Sequence, residues 1–118
     1  MELLLHSVRL HLINLEPTDS DLDHCRSLLS DDEILRASRF HRTCASARWI
    51  VCRARLREIL AAATGHEPAA LSFGAEHNGK PILHHTADER PLYFNLSHSH
   101  QLAAVATTHI GADVSATG

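Results

Sequence analysis

Between residues 36 and 57 the chain carries seven arginines, Arg36, Arg39, Arg42, Arg48, Arg53, Arg55 and Arg57, and no acid. Over the same region Trp49, Cys52, Leu56, Ile59 or Leu60, and Ala63 recur at helical spacing. The pattern predicts one long helix over about residues 45 to 63, with an apolar face to be covered. Gly65 supplies its C-terminal stop. The basic residues admit two explanations. A guanidinium presents a fixed fork of donors that suits phosphate oxygens, so the cluster suggests a phosphate-bearing ligand. A solvated helix face is the plainer one.

The flanking segments have their own periods. In SVRLHLINL, Val8, Leu10 and Leu12 alternate with Arg9 and His11, which predicts a half-buried strand. A short helix is expected from about Ser20 to Leu29, with Leu22, Cys25 and Leu29 on one face. Ser30-Asp31-Asp32-Glu33 has the form of a capping box and should open a second short helix running to about Ser38. Asn78-Gly79 favours a tight turn with positive φ between short strands at about 71–75 and 81–83. PLYFNLS, LAAVATT and HIGADV are further strand candidates. Strand, helices, then a run of strands predicts an α+β fold, with helices packed on one face of a mostly antiparallel sheet.

The 118 residues are enough for one domain with a real core. No apolar run reaches the roughly 18–20 residues of a membrane span. The start lacks the basic and apolar regions of a signal peptide, so neither a membrane nor export is expected. Cys25, Cys44 and Cys52 are odd in number and lack C-x-x-C spacing, which fits a reducing, cytoplasmic setting. The net charge is −3, and no aromatics interleave the arginines to stack bases, so a nucleic-acid partner is not expected.

Three stretches could carry chemistry. In HIGADVS, strand alternation puts Asp113 on the face opposite Ile110, Ala112 and Val114, with Gly111 leaving room for a ligand. Asp113 is then a metal-ligand candidate or a solvated strand residue. NLSHSH offers Ser97, His98, Ser99 and His100 as donors to phosphate, as a His98–His100 metal pair, or as a histidine-rich surface loop. In NGKP, Lys80, the only lysine of the chain, follows a turn.

Taken together, RASRF, Arg48 with the helix ARWIVCRARLREIL, NGKPIL, FNLSHS and IGADV resemble the first half of a 4′-phosphopantetheinyl transferase of the surfactin-synthetase type. The resemblance covers about residues 30 to 114 in the family's order and spacing. It implies transfer of the phosphopantetheine arm of coenzyme A to a serine of an acyl or peptidyl carrier protein. Magnesium on the pyrophosphate would stabilise charge as the serine attacks. By matching position, Arg36 and Arg48 would hold the 3′-phosphate of coenzyme A. Lys80 and His98 would contact its phosphates, with Ser97 beside them, and Asp113 would bind magnesium.

Two departures accompany the match. Ser115 stands where the family's Gly-x-Asp-x-Glu motif has a glutamate. Glu33 stands where a phosphate-binding cation is expected and would repel phosphate; its capping-box role offers a structural reason. The family fold has two similar halves with coenzyme A in the cleft between them, so residues 1–118 are expected to form the N-terminal half, with the C-terminal half absent. A second copy or a separate C-terminal half would then be a partner. The alternatives are a non-catalytic half-domain that binds coenzyme A or a carrier, or dimerises, and a metal-binding domain using His98, His100 and Asp113.

Overall fold

A computed structural model describes residues 2–5, 7–16 and 19–109. The elements run β1 (Glu2–Leu5), β2 (Val8–Asn14), α1 (Asp19–Ser27), α2 (Asp31–Ser38) and α3 (Thr43–Thr64). A single 3-10 turn at Pro68–Ala70 follows, then β3 (Phe73–Ala75), β4 (Pro81–Leu83), β5 (Tyr93–Ser99) and β6 (Leu102–Thr108). This is the expected α+β arrangement. The run HIGADV, expected as a further strand, lies outside the described residues beyond His109.

Local chemistry sets the helix limits. Ser30 Oγ accepts from the Glu33 N–H at 3.2 Å, and Glu33 Oε1 accepts from the Ser30 N–H at 2.9 Å, which completes the capping box that starts α2. At the end of α3, Gly65 takes φ 77°, a left-handed conformation that costs glycine little, and its N–H reaches Ala61 O.

Four strands form one antiparallel sheet in the order β1-β2-β6-β5, and β3 and β4 form a separate hairpin. Register fixes the faces: Ile13 lies opposite Ala103, His11 opposite Val105, Leu96 opposite Val105 and Phe94 opposite Thr107. Ile13, Phe94, Ala103 and Val105 are buried in the same core as α3. The opposite face carries Leu10, Leu12, Ala104 and Ala106, with Leu12 38% and Leu102 52% exposed. The strand β1 was not expected from sequence. Its Leu-Leu-Leu run has no alternation, and it is a strand through pairing with β2, Leu3 opposite Leu10 and Leu5 opposite Val8.

The core of α3 is wider than its heptad-like spacing suggests. Ile50, Val51, Cys52, Ala54, Leu56, Arg57, Leu60 and Ala61 are buried. Of the predicted face, Trp49 and Ile59 are partly buried and Ala63 is exposed. The physical reason is that α3 is covered on several sides, by α1, α2, the 3-10 turn and β6. A helix in that position needs apolar or small side chains around most of its circumference, not along one stripe.

The β3–β4 hairpin also differs in detail. Among the described non-glycine residues only Ser7 and His100 have positive φ, so Asn78 does not; Gly79 does, at 86°. Gly79 N–H bonds Glu76 O and Glu76 N–H bonds Lys80 O, both at 2.8 Å, making a three-residue loop closed by a left-handed glycine. β3 starts at Phe73, two residues later than expected, because Leu71 is still in the extended C-cap of the 3-10 turn.

Candidate functional site

A cleft of about 480 Å³ lies between α2, α3 and the β3–β4 hairpin. From α2 come Asp32, Glu33 and Arg36; from α3, Trp49, Arg53 and Arg57; from the hairpin, Phe73, Gly74, Ala75, Gly79 and Pro81. Trp49, Arg53 and Arg57 are four residues apart in succession, so one side of α3 delivers all of them. Gly74 lets the His84 ring pack against the strand backbone, because a Cβ in its place would run into that ring.

Glu33 is the hinge of the electrostatics. Its Oε1 accepts from Arg57 Nε at 2.8 Å, and its Oε2 lies 3.3 Å from Arg53 Nη1. Arg57, 2% exposed, also donates from Nη1 to Pro68 O at 2.8 Å and Leu71 O at 2.9 Å. Its fork is thereby engaged, and it ties α3 to the segment leading into β3. Arg53 is held differently. Its guanidinium sits 5.2 Å from the Trp49 ring centroid and 5.2 Å from that of Phe73. Burial pushes its pKa below the usual arginine value while Glu33 pushes it back up, and it remains a cation. Arg36 lies 5.5 Å from the same Trp49 ring.

Arg36 therefore reaches the cleft. Arg48 sits on α3 but does not line it; its Nε and Nη2 both bond Glu16 Oε1, at 2.9 and 2.6 Å. Lys80 is part of the hairpin loop between the cleft-lining Gly79 and Pro81. Ser97 and His98 are exposed near the end of β5 and lie opposite Ala104 and Ala103, so they point to opposite faces of the sheet. Neither lines the cleft. Asp113 and Ser115 lie outside the described residues.

The proposed His98–His100 pair is corrected. β5 ends at Ser99, and His100 has φ 54° in the turn to β6, so the two histidines do not share a strand face. Among the described residues no group of three or more His, Cys, Asp or Glu could hold a metal. Glu33 is corrected too: its charge is engaged by two guanidinium groups, so it is no lone carboxylate facing a phosphate. The sequence offered Arg53 only as one of seven clustered arginines, and Trp49 and Phe73 not at all, as site residues. The i, i+4 spacing of Trp49, Arg53 and Arg57 was the available signal for the first two. Phe73 had none, since the hairpin meets α3 only through tertiary packing.

Residues 14–110 match the family model described as 4′-phosphopantetheinyl transferase, N-terminal. The chain belongs to the 4′-phosphopantetheinyl transferase family. It is also 40% identical over 117 residues to the 4′-phosphopantetheinyl transferase HetI of Nostoc sp. (strain PCC 7120). That match covers 97% of this chain and 49% of HetI, so the chain spans about half the length of the curated relative it matches. Among the described residues no helix is long and apolar enough to cross a membrane.

Proposed function

We propose that this chain is the N-terminal half of a 4′-phosphopantetheinyl transferase, which moves the phosphopantetheine arm of coenzyme A to a serine of an acyl or peptidyl carrier protein in the cytoplasm. The observation that carries the reading is the family match over residues 14–110. The named relative is itself a 4′-phosphopantetheinyl transferase. The cleft is compatible in chemistry: the aromatic rings of Trp49 and Phe73 stand beside the guanidinium donors of Arg36 and Arg53.

In this reading Arg36 and Arg48 bind the 3′-phosphate of coenzyme A. Arg48 must then exchange Glu16 for phosphate, a modest demand for a pair with side chains 35% and 48% exposed. Lys80 and His98 contact the remaining phosphates, with Ser97 beside them. These cations and donors orient the pyrophosphate and offset charge that grows on it as the carrier serine attacks. Asp113 is proposed as a magnesium ligand on its sequence motif, and Ser115 is a poor second ligand beside it. Magnesium would supply charge neutralisation on the pyrophosphate. The alternative, a half-domain that binds coenzyme A or a carrier without transfer, is favoured by Ser115 in place of the motif glutamate.

The test is incubation of the full chain with coenzyme A, magnesium and an apo carrier protein, read by intact mass of the carrier. Gain of a phosphopantetheine arm supports the enzyme. Binding of coenzyme A with an unchanged carrier, under conditions where an authentic transferase modifies it, supports the binding half-domain. Binding of neither overturns both.

A further inference from the structure

We propose that Arg53 is a binding residue for the 3′-phosphate of coenzyme A, acting with Arg36 beside the same Trp49 ring, and that Glu33 holds Arg53 in place for it. The inference rests on the coenzyme A reading above and picks out one arginine of the cluster that the matching positions did not supply.

Arg55 bonds Glu58 and Asp21, Arg9 bonds Glu2, Arg26 bonds Asp23, and Arg48 bonds Glu16. Arg57 is saturated by Glu33 and two carbonyls. Among the described residues Arg53 has one hydrogen-bond partner, Glu33, at 3.3 Å from Nη1, and Arg57 shares that carboxylate. Its Nε and Nη2 bond no acceptor among the described residues and can serve a ligand. Yet the side chain is only 13% exposed, so most of its water has been replaced by two aromatic faces. A guanidinium in such a place is pre-organised: the rings restrict its rotation, and the lost hydration raises what a charged partner contributes.

Charge complementarity points the same way. Arg36, Arg53 and Arg57 line the cleft against Glu33 and Asp32, leaving it net positive. A phosphate monoester carries about −1.5 to −2 at neutral pH and three acceptor oxygens, which suits guanidinium forks lining one cleft. Position 33, where the family pattern expects a cation, carries Glu33; Arg53, bonded to it, brings a cation to the same place from the neighbouring helix. The charge is thus relocated from α2 to α3, with Glu33 as the positioning residue.

The experiment compares coenzyme A with dephospho-coenzyme A, which differs only by the 3′-phosphate. Binding to the full chain is followed by calorimetry and by fluorescence of Trp49, the only tryptophan. The unmodified chain should prefer coenzyme A, and Arg53→Gln should reduce that preference by about tenfold or more with dephospho-coenzyme A affinity little changed, as expected for loss of a charged hydrogen bond. Arg53→Lys keeps the charge without the fork and should lose several-fold. It is the variant to read if Arg53→Gln does not fold. Unaltered preference in a folded Arg53 variant overturns the inference and leaves the coenzyme A reading intact. Equal binding of both compounds by the unmodified chain does the same. Failure to bind either overturns the coenzyme A reading and this inference with it.

Discussion

Two glutamates meet the arginine helix, and they are held in opposite ways. Glu33 lies against the middle of α3, its side chain 10% exposed, between Arg57 at 3% and Arg53 at 13%. Glu16 lies against the first turns of α3, its side chain 48% exposed, paired with Arg48 at 35%. The hydrogen-bond lengths are alike, 2.8 Å for Arg57 and 2.6 to 2.9 Å for Arg48. What differs is the cost of separation. Parting Arg48 from Glu16 returns both groups to water. Parting Glu33 from Arg57 leaves a desolvated charge with too few partners. The exposed pair can exchange its acid for another anion, while the buried one is a fixed part of the frame.

Glu33→Gln should therefore have the largest effect. The amide can still cap α2, but two guanidinium groups lose their carboxylate, and unfolding by urea should show a loss of about 3–5 kcal/mol. A loss below about 1 kcal/mol would erase the distinction between the two glutamates. Ser30→Ala sharpens the comparison by removing the cap alone; its expected cost is about 1 kcal/mol by the same measurement. Glu16→Gln should cost less than about 1 kcal/mol, and the difference from the unmodified chain should shrink as salt is raised.

The smallest effect belongs to Glu89, a half-buried acid with its side chain 25% exposed. The backbone N–H of Thr86 and then the ring of His66 hold the Glu89 carboxyl down at about 2, against an ordinary 4.5. A carboxyl depressed in the folded state stabilises above its unfolded pKa, and that contribution is lost as pH falls from about 4.5 toward 2. Thermal midpoints of the unmodified chain and Glu89→Gln should differ at neutral pH and converge across that window. A constant gap would place the pair outside the folding equilibrium.

Much of the fold was legible because its signals are local. Ser30 and Glu33 read as a capping box, Gly65 as a stop, Asn78-Gly79 as a hairpin, and PLYFNLS and LAAVATT as strands, each within a few residues of chain. The strand β1 escaped because nothing in Leu3 to Leu5 distinguishes a strand from a helix until β2 lies beside it. The outward side of α3 escaped for a related reason: periodicity finds one apolar stripe and misses a helix enclosed on several sides. The candidate site was legible in its residue types and in Arg36, but the cleft's membership was not. Arg53 and Phe73 lie twenty residues apart and meet across a 5.2 Å ring contact.

The amino-acid order alone determined the caps, turns, strand candidates and the motif series that places the chain in its family, since each depends on backbone geometry over a handful of neighbouring residues. Which arginines stand ready for an anion was decided by the tertiary structure. Arg48 finds Glu16, Arg55 finds Asp21 and Arg57 finds Glu33 at separations of 32, 34 and 24 residues. Hydrogen bonds and desolvation act over a few ångströms of space, and no repeat in the chain reports who will be that close.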